Sequence, residues 1–176
     1  MWAVCDADLW VESWPTLKEA VRIAATHTWC VPCGNVYRLS HEATNAIVAN
    51  DPDRPVDWPV NRGSLDLRQR NNNPYRLFPG GGIFAITPDA YDRAGGFDPR
   101  FVGWGGEDTS LAAAINTLVG PPVRLEASVW HLWHPKSKQA AKVGRPSGVN
   151  ERLNRRYLHA EGDPTAMRAL ISDREV

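Results

Sequence analysis

The sequence has no run of eighteen apolar residues, which excludes a membrane-spanning helix. Neither sign of charge is in excess, since Lys plus Arg and Asp plus Glu each number 20. No global field would draw such a chain to nucleic acid. Cysteine is scarce and odd in number, three in all. That argues against a disulfide framework and fits a reducing, cytoplasmic compartment. The opening "MWAVCDADLW" lacks a basic region and sets two acids within its apolar stretch, so it is no secretory signal. No internal repeat is visible.

What is present suits one domain. A chain of 176 residues can bury roughly two thirds of its surface. Its 43% apolar and 23% charged residues are ordinary for a globular protein. Tryptophan is unusually frequent, eight in all. Trp10, Trp104, Trp130 and Trp133 stand beside polar motifs, where an indole face suits either sugar stacking or plain packing.

Residues 2–5 read as a buried strand. Pro15 starts a helix through "TLKEAVRIAATH", with Leu17, Ala20, Val21 and Ala24 on one face. "WCVPCGNVYRL" is strand-like at both ends and broken by Pro32 and Gly34. Ser40 caps a helix in "HEATNAIVAN". Residues 51–79 are a long loop rich in Pro, Asn, Arg and Asp, predicted to be functional or mobile. "GGGIFAI" ends in a strand, and Thr87 and Pro88 open a short helix closed by Gly95-Gly96. A further helix carries Leu111, Ile115, Leu118 and Val119 on one side. "VRLEASVW" reads as the last strand. Lys136 to Arg156 is strongly basic, and two amphipathic helices finish the chain. Strands alternating with helices predict an α/β fold.

Four constellations carry chemistry. Asp6 and Asp8, at the carboxyl end of a strand taken as parallel, lie where open α/β sheets bind ligands. A divalent ion shared with a diphosphate needs only one or two such carboxylates. A second copy, Asp51-Pro52-Asp53, follows a helix and reads as turn chemistry. In "GWGGEDTSLA", glycines allow close approach to a ligand, and Glu107 and Asp108 open a helix. They serve either as a general base and its neighbour or as complements to the helix dipole. That dipole favours the ionised form, so a base there is expected to be charged but weak. His131 and His134, three apart, would share a metal only if the chain turns near Pro135. Cys30 and Cys33 lack the further ligands of a zinc site and the following helix of a redox pair. They read as buried structural thiols.

Together these motifs resemble the metal-dependent nucleotide-sugar glycosyltransferases of the GT-A fold. The likeness is to the carboxyl-terminal domain shared by β-1,4-galactosyltransferases and polypeptide N-acetylgalactosaminyltransferases. It is strongest over "GGIFAITPDAYDRAGGFDPRFVGWGGEDTSLA" and covers most of residues 1–135. The tail, 136–176, is set apart as a basic, lid-like segment with two helices. The resemblance implies a mixed sheet with flanking helices, a partial fold lacking the usual N-terminal βαβ nucleotide-binding half. An earlier start, a partner chain supplying that half, or a reduced fragment would each account for the lack.

Carried over, Asp8 resembles the metal ligand, Asp6 its neighbour facing metal and nucleotide, and His134 or His131 a further ligand. Trp104, Gly105, Gly106, Gly81 and Gly82 resemble the lining of the sugar sites. Glu107 resembles the acid that holds sugar hydroxyls and Asp108 the general base. Thr109 departs from the galactosyltransferase pattern, so acceptor preference is not carried over. Asp108, where the retaining relatives have Asn, favours inversion. The implied cofactor is a divalent metal, Mn2+ first and Mg2+ second. The implied partners are a nucleotide-diphosphate sugar and a glycan, protein or small-molecule acceptor. The rival is a non-catalytic sugar-binding or assembly module.

Overall fold

The computed structural model describes residues 1–11, 14–49, 68–69, 82–135 and 148–174, with Asn35–Arg38 and Arg68–Gln69 in backbone alone. In chain order the elements are β1 (Trp2–Cys5), β2 (Leu9–Val11), α1 (Trp14–His27), β3 (Trp29–Val31), β4 (Asn35–Arg38) and α2 (His41–Val48). Then come β5 (Arg68–Gln69), β6 (Ile83–Ile86), α3 (Pro88–Arg93), α4 (Glu107–Leu118), β7 (Val123–Arg124) and β8 (Ser128–His131). Helices α5 (Gly148–Ala160) and α6 (Pro164–Ser172) end the described chain. The fold is mixed α/β, and none of these helices is long and apolar enough to cross a membrane.

Two four-stranded sheets form, ordered β1-β6-β3-β7 and β2-β8-β4-β5. The first is mixed: β1 and β3 run antiparallel to β6, and β3 runs parallel to β7. The second is mixed as well, with β8 antiparallel to β2 and parallel to β4. Three segments cross from the first sheet to the second: Asp6 to Asp8, Pro32 to Gly34, and Leu125 to Ala127. The last two run side by side, joined by Leu125 N–H to Val31 O at 3.0 Å and Gly34 N–H to Ala127 O at 2.9 Å.

This architecture corrects three expectations. "VRLEASVW" is two strands in different sheets, because the chain bends at the crossover. Strand β2, not foreseen, pairs with β8. Among the described residues strand β1 is an exposed edge, with Trp2 44% exposed, and it pairs with β6 alone, antiparallel. Four apolar residues suggest burial, but an edge strand has a neighbour on one side only. Trp2 instead packs edge-on to Tyr91, their centroids 5.1 Å apart.

Local signals hold. The Ser40 and Thr87 hydroxyls each accept from the N–H three residues on, at 3.2 Å, and Pro88 sits in the first turn of α3. Ala20 and Ala24 bury α1 against Cys30 and Ala85. Trp29, Val31, Phe84 and Ile86 face the opposite way, into a core shared with Leu111 and Ile115 of α4. Strands covered on both faces read as continuous apolar runs. Trp29 is wholly buried, and its indole N–H donates to Gly120 O at 2.7 Å. Leu153, Tyr157 and Met167 place α5 and α6 in that same core. The basic stretch from Gly148 onward is therefore fixed helix, whereas 136–147, like most of the 51–79 loop, lies outside the described residues.

Candidate functional site

Asp6 and Asp8 sit on the first crossover, where the chain leaves β1 for β2. Asp6 N–H donates to Gly82 O at 2.7 Å, and Leu132 N–H donates to Asp8 O at 2.7 Å. The crossover is thus stitched to β6 on one side and to the chain beyond β8 on the other. Gly82 has φ +67°, and a Cβ there would lie 2.0 Å from Asp6 Cγ. The space a side chain would need holds the Asp6 carboxylate, so Gly82 seats Asp6. Gly82→Ala should destabilise the protein by about 1–3 kcal/mol, from positive φ and overpacking combined. A thermal melt unchanged from wild type would contradict this packing.

Beyond β8 the chain leaves the strand, and both imidazoles reach Asp8. His134 Nε2 lies 3.1 Å and His131 Nε2 3.4 Å from Asp8 Oδ2. The rings stack with centroids 5.4 Å apart, and the three atoms that could ligate a metal lie within 4.8 Å of one another. Each Nδ1 faces a carbonyl, Leu132 O at 2.8 Å for His131 and Pro135 O at 2.9 Å for His134. A carbonyl only accepts, so Nδ1 carries the hydrogen and a neutral ring turns its Nε2 lone pair toward the carboxylate. Three acceptor atoms at that spacing repel unless a proton or a metal ion lies between them. The carbonyl contacts are of the kind that orient metal-binding imidazoles.

The intervening Trp133 is anchored too. Its N–H donates to the buried Thr44 hydroxyl at 2.7 Å, and its ring meets His41 edge-on at 4.4 Å. Helix α2 thereby sets where His134 can reach. Trp10 and Trp130 pack with Leu39 and Ile47 in a small core, whereas Trp104 and Trp133 are exposed.

The second half of the site is the turn before α4. Gly103, Gly105 and Gly106 have φ of 77°, 107° and 97°, conformations that glycine adopts without strain. They present Trp104, 49% exposed. Glu107 Oε2 accepts from Gly105 N–H at 2.9 Å, closing the turn on itself. Asp108 is half-buried. Burial pushes its carboxyl up, with the charges of Asp6 and Glu107 adding, to about 7. The expectation of a weak, fully ionised base is overturned: burial and two carboxylates outweigh the helix end. Asp6 is raised in turn, by burial first and then by Asp8, with Glu107 contributing and His131 opposing. Asp6 therefore links the Asp8 group electrically to the Glu107-Asp108 pair. Gly81 lies outside the described residues.

Cys30 and Cys33 are free and buried. Burial pushes their thiols up to about 11 and about 12, the reverse of a reactive pair. Residues that sequence reasoning missed are Thr44, Asn150 and Asn154. Asn150 left a signal, a polar residue on the same helical face as Leu153 and Tyr157.

Residues 66–127 match the family model described as the N-terminal domain of galactosyltransferase. That stretch is galactosyltransferase-like. It takes in β6, α3, the Trp104 turn, α4 and β7, and so carries Glu107 and Asp108. Asp8, His131 and His134 lie outside the galactosyltransferase-like region, although the fold brings them to it. The match suggests a glycosyltransferase at the level of the family. No curated protein matches the chain.

Proposed function

We propose that this protein transfers a sugar from a nucleoside-diphosphate donor to an acceptor hydroxyl, with a metal ion and with inversion. The observation that carries the reading is Asp6: it sits beside the Asp8, His131 and His134 cluster and raises Asp108. On this reading a cation site and a carboxylate poised near neutrality are coupled through Asp6.

Asp8, His131 and His134 would hold the metal, with Asp6 beside them. Two imidazoles with one carboxylate suit Mn2+ better than Mg2+, which prefers oxygen partners. When bound, the ion supplies positive charge to the donor diphosphate and so favours its departure. Asp108 takes the proton of the acceptor hydroxyl as that oxygen attacks the anomeric carbon from the face opposite the leaving diphosphate. A base with a pKa near the working pH is both deprotonated and strong enough to act. The exposed face of Trp104 stacks on a sugar ring. Glu107 spends Oε2 on Gly105 and keeps Oε1 for a sugar hydroxyl. Gly105 and Gly106 let the ligand come close to the backbone.

Two measurements test this. Release of nucleoside diphosphate from a sugar donor should require Mn2+ and an acceptor. Asp8→Ala should weaken Mn2+ binding by about 100-fold or more, since even losing an outer contact costs 10–100-fold. Saccharide binding indifferent to chelator, with no nucleotide released, would instead make the protein a sugar-binding module.

A further inference from the structure

Helix α5 lies outside the galactosyltransferase-like stretch, yet its side chains grip the turn that presents Trp104. Asn150 is 1% exposed, on the face that also buries Leu153 and Tyr157. Its Oδ1 accepts from Val102 N–H at 3.4 Å, and its Nδ2 donates to Val102 O at 3.2 Å and Trp104 O at 3.4 Å. One turn on, Asn154 Oδ1 accepts from Ser110 Oγ at 3.0 Å. The Asn154 Cβ also fills the space beside Gly106, 3.0 Å from where a Cβ would stand. A turn with three glycines in four residues has wide backbone freedom of its own. Here it is held just before Trp104 and just after Asp108, by one face of one helix.

We propose that Asn150 and Asn154 are positioning residues that fix Trp104 and the Glu107-Asp108 pair opposite the Asp8 cluster. The inference rests on the reading of that turn as half of a sugar site. It assigns α5 a part in the site that no motif in the turn reveals. A buried amide there is otherwise a poor choice, because an apolar side chain would pack the same face without polar atoms to satisfy.

The test uses the full chain as wild type, Asn150→Ala, Asn150→Asp and Asn154→Ala. Hydrogen exchange is read at the amides of 102–106 and of β6. A 19F spectrum of protein carrying 5-fluorotryptophan, with the Trp104 line identified by Trp104→Phe, reports the indole directly. In both Asn150 variants, exchange at 102–106 should rise about tenfold or more while β6 keeps its protection. The Trp104 line should shift or broaden. Asp keeps an acceptor but turns it on two carbonyls, so it should not rescue. Asn154→Ala should loosen 106–110 in the same way. With donor and acceptor, the turnover number of each variant should fall about 10–100-fold through misplacement, while Mn2+ affinity stays at the wild-type value.

Wild-type exchange at 102–106, or loosening spread equally over β6, would overturn the proposal by reducing Asn150 to a core residue. If neither Asn150 variant folds, Asn154→Ala decides, and wild-type exchange at 106–110 then refutes it. A loosened turn in a protein that transfers no sugar would separate a correct clamp from an incorrect function.

Discussion

Asp108→Asn is expected to slow sugar transfer by about 10²–10⁴-fold, the usual contribution of a positioned general base. Its pH dependence identifies the group. With burial and the charges of Asp6 and Glu107 holding the Asp108 carboxyl up, transfer limited by that base should fall about tenfold per unit as pH drops below the point at which it titrates. It should level off above. Asp6→Asn removes one of the charges that raise Asp108, so it should move the acid limb to lower pH.

A stability measurement separates this loss from unfolding. Between about pH 4 and 7 the folded protein holds a proton on Asp108 that the unfolded chain has released. Stability from this group therefore falls as pH rises through that window. Asp108→Asn should accordingly melt higher than wild type at pH 8 and no higher at pH 4. An inactive variant with a raised melting temperature fits a catalytic base held against its surroundings; an inactive variant that melts lower at both pH values does not.

The largest expected effect on the fold is at Asp98. Its side chain is 2% exposed and meets Arg100 Nη2 at 2.8 Å and Arg174 Nε at 3.4 Å. The Tyr157 hydroxyl donates to it at 2.8 Å, and Arg174 in turn donates to Tyr157 and to Gly95 O. The cluster ties the stretch after α3 to both C-terminal helices. Asp98→Ala leaves two guanidiniums without their carboxylate and should cost about 3–5 kcal/mol. For a chain of this length that lowers the melting midpoint by roughly 10 °C.

The pH signature is opposite to that of Asp108. Burial pushes Asp98 up, but the hydrogen bonds from Arg100 and Tyr157 and the charge of Arg174 outweigh it, leaving it at about 2. A depressed carboxyl stabilises above its unfolded value and loses that stability as pH falls through the folded one. About 2 kcal/mol should thus disappear between roughly pH 4 and pH 2. The difference between wild type and Asp98→Ala should narrow over that range. A constant difference would place the stabilisation in packing instead of charge.

What could be read from the chain was local. Ser40, Thr87 and Pro88 act within four residues of themselves, and the structure has them capping α2 and opening α3. The breaks at Pro32 and Gly34 separate β3 from β4 as expected. What escaped depends on contacts distant in sequence. Strand β1 looked buried because its residues are apolar, yet which strands flank it is a matter of topology. "VRLEASVW" looked continuous because nothing in it shows that its halves join different sheets. From sequence Asp108 reads as a weak base, because the helix end is visible there whereas its burial and the nearby Asp6 are not. The Asp8, His131 and His134 grouping joins the first crossover to the end of β8, segments far apart in sequence. Asn150 could have been found, since an amide amid Leu153 and Tyr157 on one helical face calls for a buried partner.

Sugar transfer as proposed requires the Asp8 cluster and the Trp104 turn to face one another across a single cleft. Titration of Mn2+ into protein carrying 5-fluorotryptophan tests that directly, with Trp133, next to His134, as the internal marker of occupancy. Broadening of both the Trp133 and Trp104 lines in step, abolished by Asp8→Ala, is the result predicted. A Trp133 line that broadens while the Trp104 line stays sharp would place the cation and the proposed base in different sites.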